Sequence, residues 1–280
     1  MKALRATHCR APTTWNRIPD NIRQIVVELS LEHPELTPRE LSVLLLEESQ
    51  IFVSESSFYR ILHERGLLER MEHDFIFAAD EFHHKTKFAN EMWQTDFTYF
   101  KVKGWGWYYL SMVIDDYSRY IIHWELCSSM TSEDVSRTID KAVEKAGVTL
   151  QNPPCLLSDN GPCYIASSLK EYLGKVYNIK HNHGKPLHPQ TQGKIERYHR
   201  SMKNVIKLNH YFCPSELEKA IDGWVKYYNE RRFHESLDNL TPRDVYLGQG
   251  EKIKKIREII KQNSINKRIF DNKTMRYQSK

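Results

Sequence analysis

Trp93-Gln94-Thr95-Asp96-Phe97-Thr98-Tyr99-Phe100 is a run of aromatic and β-branched residues with one acid in its middle, and side chains of this kind fit a pleated, half-buried surface. Two further β-rich runs follow, so that strands are predicted over 93–102, 106–116 and 119–126. Gly104-Trp105-Gly106 separates the first two and Asp116-Tyr117-Ser118-Arg119 the second from the third, as hairpin connections would. Thr131-Ser132-Glu133-Asp134 then opens a helix carrying Val135, Ile139, Ala142 and Val143 on one face and ending near Gly147. A buried strand over 154–158, a helix around 166–177 and a short strand near 178–183 complete the pattern. Three meandering strands followed by alternating helices and strands predict an α/β fold.

Three acids stand out within that pattern. Asp96 lies inside the first strand. Cys155-Leu156-Leu157-Ser158-Asp159-Asn160-Gly161 is a short apolar strand ending in a carboxylate and an Asn-Gly turn. His188-Pro189-Gln190-Thr191-Gln192-Gly193-Lys194-Ile195-Glu196-Arg197 reads as a loop running into a helix, with Glu196 in its first turns. Moving a phosphoryl group needs charge neutralisation and alignment more than covalent help. Two Mg²⁺ ions roughly 3.5–4 Å apart can supply both, and hard cations are held by carboxylates on rigid elements. Spacing alone is weak support, because 36 Asp and Glu offer many triples. Asp115 and Asp116, paired in a hairpin turn where Asp bonds locally, read as structural; Glu125 and Asp134 have no suggestive context.

The flanking residues add to this. Trp93-Gln94-Thr95-Asp96-Phe97-Thr98, Val113-Ile114-Asp115-Asp116-Tyr117-Ser118-Arg119, Leu157-Ser158-Asp159-Asn160-Gly161 and the segment from His188 to Arg197 occur in order. With Tyr227-Tyr228-Asn229-Glu230-Arg231-Arg232-Phe233-His234-Glu235-Ser236-Leu237 and Leu240-Thr241-Pro242, they resemble the DDE transposases of the insertion-sequence-three family, relatives of retroviral integrases. Family members have about 35 residues between the second and third acids and 36 intervene here, a difference that a loop absorbs. The resemblance covers about Pro12 to Gly250.

The resemblance implies a ribonuclease H-like integrase core in which the first and fourth strands are neighbours. Asp96 and Asp159 would meet there and Glu196 would reach them from its helix, the triad serving as catalytic residues and as ligands of two Mg²⁺ ions, with Mn²⁺ able to substitute. It implies a polynucleotidyl transferase that binds the terminal inverted repeats of an insertion sequence, frees a 3′-hydroxyl and joins it to a target duplex. A homodimer or higher oligomer on DNA is expected, in a prokaryotic cytoplasm and associated with the nucleoid. Two rivals stand beside it: a non-catalytic DNA-binding regulator derived from a transposase, and a ribonuclease H-like nuclease that cuts without joining.

Ahead of this core, residues 1–14 read as a flexible N-terminus and 15–68 as a small all-α helix-turn-helix domain. Ile22, Ile25, Val26 and Leu29 mark a first helix. Thr37-Pro38-Arg39-Glu40 caps a second one. Ser54 is the expected N-cap of a third, with Phe58, Ile61 and Leu62 inward and Glu55, Ser57, Tyr59 and Arg60 outward. In a helix-turn-helix that third helix enters the major groove, so Ser57, Tyr59 and Arg60 are DNA-contact candidates; a plain bundle for protein contacts is the alternative. Residues 69–90 read as a linker, and its His73, His83 and His84 lack the partners of a zinc site.

The catalytic domain is expected over 91–250, with a C-terminal helical extension that includes a helix over 215–230 whose Leu217, Ile221, Trp224, Val225 and Tyr228 face the core. Glu196, Arg200 and Lys203 fall on one helix face, and Lys194, Arg197, Arg200 and Lys203 are read as DNA contacts. His188 fits a place near the scissile phosphate and a turn-capping role equally. The basic tail, 251–280, holds ten Lys or Arg against three acids and reads either as a helix contacting DNA or a partner subunit or as a disordered segment.

Bulk properties agree with a nucleic-acid partner without defining one. The 280 residues carry a formal charge of +5, and no apolar run reaches the length of a membrane span. Five scattered cysteines, with no Cys-x-x-Cys pair, argue for a reducing compartment and against a disulfide framework.

Overall fold

The computed structural model describes residues 16–68, 86–183 and 193–278. The chain forms two compact units, one from residues 76–250 and one from 1–75 together with 251–280.

The larger unit is built on a five-stranded sheet of order β3-β2-β1-β4-β5. Its strands are β1 (Met92–Val102), β2 (Gly106–Asp115), β3 (Ile121–Cys127), β4 (Cys155–Ser158) and β5 (Lys180–His183). β1, β2 and β3 form an antiparallel meander, whereas β4 runs parallel to both β1 and β5. Gly104 and Gly106 turn the first hairpin with φ of 83° and 95°, a region in which a Cβ is disfavoured. The helices are α4 (Ser132–Ala146), α5 (Pro162–Ile165), α6 (Ser167–Tyr177), α7 (Gly193–Ile206), α8 (Pro214–Glu230) and α9 (Pro242–Tyr246).

Side-chain alternation along β1 explains why both faces of the sheet are covered. Trp93, with Val113 and Ile122, faces α4, α5 and α6, packing on Val135, Ile139, Tyr164, Leu169 and Leu173. Phe100 and Val102, with Leu110, Met112 and Ile114, face α7 and α8, where Ile195, Tyr198, Met202, Ile221 and Tyr228 meet them. Trp93 is fully buried, and truncating such a side chain costs about 3–5 kcal/mol. The expected capping box on α4 is present: Thr131 accepts from the Asp134 backbone and Asp134 accepts from that of Thr131. Asn229, on α8, grips the start of β3, its Oδ1 accepting from Ile121 N (2.9 Å) and its Nδ2 donating to Ile121 O (3.0 Å).

In the smaller unit, α1 (Asp20–Glu32), α2 (Pro38–Ser49) and α3 (Glu55–Glu64) enclose one apolar core from Val26, Leu41, Leu45, Val53, Phe58, Ile61 and Leu62. Thr37 and Glu40 form the capping box of α2, worth about 1 kcal/mol. The expectation for Ser54 holds only in position. It sits at the N-cap of α3, but its hydroxyl makes no cap bond and pairs with Ser57 Oγ at 2.9 Å. The tail is a helix, α10 (Gly250–Gln278), so the disordered alternative is set aside. From Glu251 it belongs with the three-helix unit: Ser264 Oγ accepts from Phe52 N at 3.0 Å, Arg257 pairs with Glu47, and Asn272 donates to Arg17 O. Among the described residues no helix is long and apolar enough to cross a membrane.

Candidate active site

The β1–β4 register brings the first two acids together. Met92, Trp93 and Gln94 lie opposite Cys155, Leu156 and Leu157, a pairing that ends two residues before Asp96 on one strand and two before Asp159 on the other. Asp96 is an even-numbered position of β1, on the face that looks toward α7. Its Oδ1 accepts from Phe97 N at 2.8 Å and its Oδ2 lies 3.4 Å from Nδ1 of His199. Asp159 follows the last residue of β4 and is exposed. Its Oδ1 accepts from Gly161 N at 2.9 Å, a local bond of the kind that Asp makes in turns. Gly161 is needed for closeness, since a Cβ there would stand 3.0 Å from that same oxygen.

Two groups on α5 register both carboxylates. Tyr164 is buried, and its phenol is raised well above its ordinary pKa by burial first, then by Asp96 and more weakly by Asp159. Cys163 is pushed up to about 11 by burial, then by Asp159 and Asp96.

Glu196 lies in the first turn of α7 and is exposed, while Ile195, Tyr198, His199, Met202 and Ile206 form the helix's buried face. It stands one turn from His199, and residues three apart on a helix are neighbours, so α7 presents Glu196 beside the residue that touches Asp96. Among the described residues, no three His, Cys, Asp or Glu side chains stand close enough to hold an ion together. Glu196 thus does not close on the two aspartates in this structure. All three are hard oxygen donors, the chemistry that Mg²⁺ selects.

Asp115 and Asp116 are spent elsewhere. Asp115 accepts from Asn90 N (2.7 Å), Ser118 N (2.8 Å) and Ser118 Oγ (2.6 Å); burial raises its pKa against those bonds. Asp116 accepts from Thr86 Oγ1 and Gln94 Nε2, each at 2.7 Å, and from Lys194 Nζ at 2.6 Å. Lys194, expected to contact DNA, pairs in this structure with Asp116, whose backbone carbonyl its ammonium also reaches at 2.8 Å. No local signal joins residues 78 positions apart. His199, buried between Asp96 and the Met112 sulfur, was missed in the sequence for the same reason.

The other basic candidates remain at the surface. Arg197 and Arg200 are exposed on α7, and Lys203 is half-buried with its ammonium 4.7 Å from the centre of the Tyr99 ring. In the smaller unit, Tyr59 and Arg60 are exposed on α3. Tyr59 stacks on His63, and Arg60 donates to Ser56 O and to Ser57 Oγ, each at 3.1 Å. His73, His83, His84 and His188, and the loop residues Gln190 and Gln192, lie outside the described residues.

The larger unit thus combines a five-stranded mixed sheet, helices on both faces, and two aspartates just past the paired part of neighbouring strands β1 and β4. Two family models described as "Integrase core domain" match residues 87–189 and 177–242, which together overlap most of the larger unit. Among relatives, the chain is 32% identical over 117 residues to the Gag-Pro-Pol polyprotein of squirrel monkey retrovirus, covering 42% of this chain and 6% of the polyprotein. It is 30% identical to the putative transposase InsK of insertion sequence element IS150 from Escherichia coli K12, covering 55% of this chain and 53% of InsK. It is 27% identical to the transposase of IS904 from Lactococcus lactis, covering 57% of this chain and 62% of that protein. The matches therefore span less than two thirds of each of these relatives. Among solved structures, a chain of the simian T-cell lymphotropic virus intasome in complex with a PP2A regulatory subunit superposes with a TM-score of 0.51 at 18% identity, over 79% of this chain and 74% of that one; it shares the fold.

Proposed function

We propose that this chain is a DDE transposase of the insertion-sequence-three type, which cleaves DNA at the ends of its element and joins the freed 3′-hydroxyl to a target. The observation that carries this reading is a contrast around one sheet: Asp96 and Asp159 each lie two residues past the paired part of β1 and β4, each with only one oxygen in a hydrogen bond, whereas both oxygens of Asp115 and of Asp116 accept donors. Asp96, Asp159 and Glu196 would hold Mg²⁺, with Mn²⁺ able to substitute. When bound, the metal supplies charge neutralisation at the scissile phosphate and activation of the attacking oxygen.

The chain's own residues do the rest. His199 fixes the Asp96 carboxylate from α7, and the Gly161 amide fixes that of Asp159. Arg197, Arg200 and Lys203 are placed on the helix that carries Glu196, where phosphates of a bound duplex would run. Cleavage and joining use one arrangement, because only the nucleophile changes, from water to a DNA hydroxyl. Residues 15–68 would recognise the terminal inverted repeats through Ser57, Tyr59 and Arg60 on α3, and a homodimer or larger assembly would pair two ends.

The test is Mg²⁺-dependent nicking and joining of a labelled duplex carrying the element's ends, comparing the unaltered chain with Asp159→Asn and Glu196→Gln. Joined products that disappear in both variants, with end binding kept, support the reading. Nicks without joined products would turn it into a nuclease. Binding without either product would turn it into a DNA-binding regulator.

A further inference from the structure

The hairpin Tyr99-Phe100-Lys101-Val102-Lys103-Gly104-Trp105-Gly106-Trp107 sorts its side chains by strand alternation. Phe100 and Val102 are in the core, while Tyr99 and Trp107 remain 56% and 51% exposed and Lys101 is exposed as well. β4 pairs only with the first residues of β1, so this far half of β1 extends past it.

Across β1 and β2, Lys101 lies opposite Trp107 and Tyr99 opposite Tyr109, which sets Tyr99 and Trp107 on one face with ring centres 5.5 Å apart and nearly perpendicular. Lys101 Nζ stands 5.5 Å from the Trp107 ring and Lys203 Nζ 4.7 Å from the Tyr99 ring. Lys103 and Lys207, also exposed, extend the basic border. The hairpin tip is anchored, with Trp105 Nε1 donating to Phe212 O at 3.0 Å. Tyr99 follows Asp96 by three residues on the same strand, about 10 Å along it, and Lys203 lies within the field of Asp96.

Exposed aromatic rings bordered by cations suit a partner with both flat apolar faces and negative charge. A duplex hides its base faces and offers this surface only phosphates. An unpaired nucleotide offers both. We propose that this patch is a binding site for unpaired nucleotides of DNA, a base stacking on Tyr99 and Trp107 while Lys101 and Lys203 hold the adjoining phosphates. The present ammonium–ring contacts do not block it: an exposed contact of that kind is worth about two- to fivefold in an equilibrium, whereas base–aromatic stacking is worth about fivefold to more than a hundredfold. A base therefore displaces the lysines from the rings and leaves them free for phosphate. This inference rests on the reading that the core acts on DNA.

The test measures binding by the full chain, without divalent metal, to a blunt duplex and to the same duplex with three unpaired terminal nucleotides. One of these nucleotides is 5-bromouracil, for photocrosslinking. The unaltered chain should prefer the frayed end and crosslink through Tyr99 or Trp107. In the double variant Tyr99→Leu, Trp107→Leu, the preference should fall by about ten- to a hundredfold while blunt-duplex affinity stays within about twofold and the urea midpoint holds.

Three results would overturn the proposal: an equal loss on both DNAs, crosslinks elsewhere with the preference intact, or a change in oligomeric state with no change in preference, which would make the patch an interface between copies. Absent Mg²⁺-dependent nicking by the unaltered chain would count against the strand-transfer reading alone, because the preference is measured without catalysis.

Discussion

Two pairs of aspartates occupy one sheet and meet opposite fates. Asp115 and Asp116 close the β2–β3 turn and are buried, their oxygens filled by Asn90, Ser118, Thr86, Gln94 and Lys194. Asp96 and Asp159 each use one oxygen on a neighbouring backbone amide and turn the other outward or toward His199. Residue type is the same in both pairs. The difference lies in what the chain has spent on them, since a carboxylate already saturated with donors has little left for a ligand.

The largest effect expected from this contrast is on catalysis. Asp96→Asn or Asp159→Asn should lower strand cleavage by about a thousandfold or more, as loss of a metal-supported charge implies, with the urea unfolding midpoint nearly unchanged. Asp115→Asn should do the opposite. It turns one carboxylate oxygen into a donor, so that either the Asn90 amide or the Ser118 amide and hydroxyl lose their acceptor, and should cost about 2–4 kcal/mol of stability; a variant as stable as the parent would erase the distinction between the pairs. Lys194→Met strips Asp116 of its cation and should cost about 2 kcal/mol, below the range for a fully buried pair because Lys194 is partly exposed. If instead it weakened DNA binding at unchanged stability, Lys194 would be a contact after all.

Gly161→Ala is a finer probe. The glycine's backbone, with φ of −62°, accepts alanine, but the new methyl crowds Asp159 Oδ1. Cleavage should slow about tenfold, as small misplacements at a reacting centre do, with no loss of stability.

The smallest effect is one of pH. Burial, with Lys145 next, lowers the pKa of His123 from 6.5 to about 4. The unfolded chain therefore takes up that proton first as pH falls, so this contribution is complete above 6.5 and lost between 6.5 and about 4. The slope is at most about 1.4 kcal/mol per pH unit. Urea midpoints at pH 7 and pH 5 should differ less in His123→Gln than in the parent.

Local pattern made much of this architecture legible. Alternation over β1, capping boxes at Thr37 and Thr131, and glycines at the first hairpin each act within a few residues, and the elements formed where those signals stood. The structural reading of Asp115 and Asp116 was legible too, because Asp in a turn bonds its own backbone. What escaped were contacts made by packing. Lys194 finds Asp116 and Asn229 finds Ile121 only after β-strands and helices have docked. Ser54 shows the reverse limit: the residue was at the cap, but a competing hydroxyl three positions on drew its side chain away.

The return of α10 to the first unit has a consequence in time. The apolar core of α1, α2 and α3 is complete from residues 26–62, so that bundle can fold while the rest of the chain is still on the ribosome. Its polar clasp on α10, through Glu47, Phe52 and Arg17, waits until the intervening residues of the larger unit have been synthesised. At about 5–20 residues per second that delay is roughly ten to thirty-five seconds. The bundle thus takes shape before its clasp exists, and every nascent copy passes through an interval in which it stands without α10.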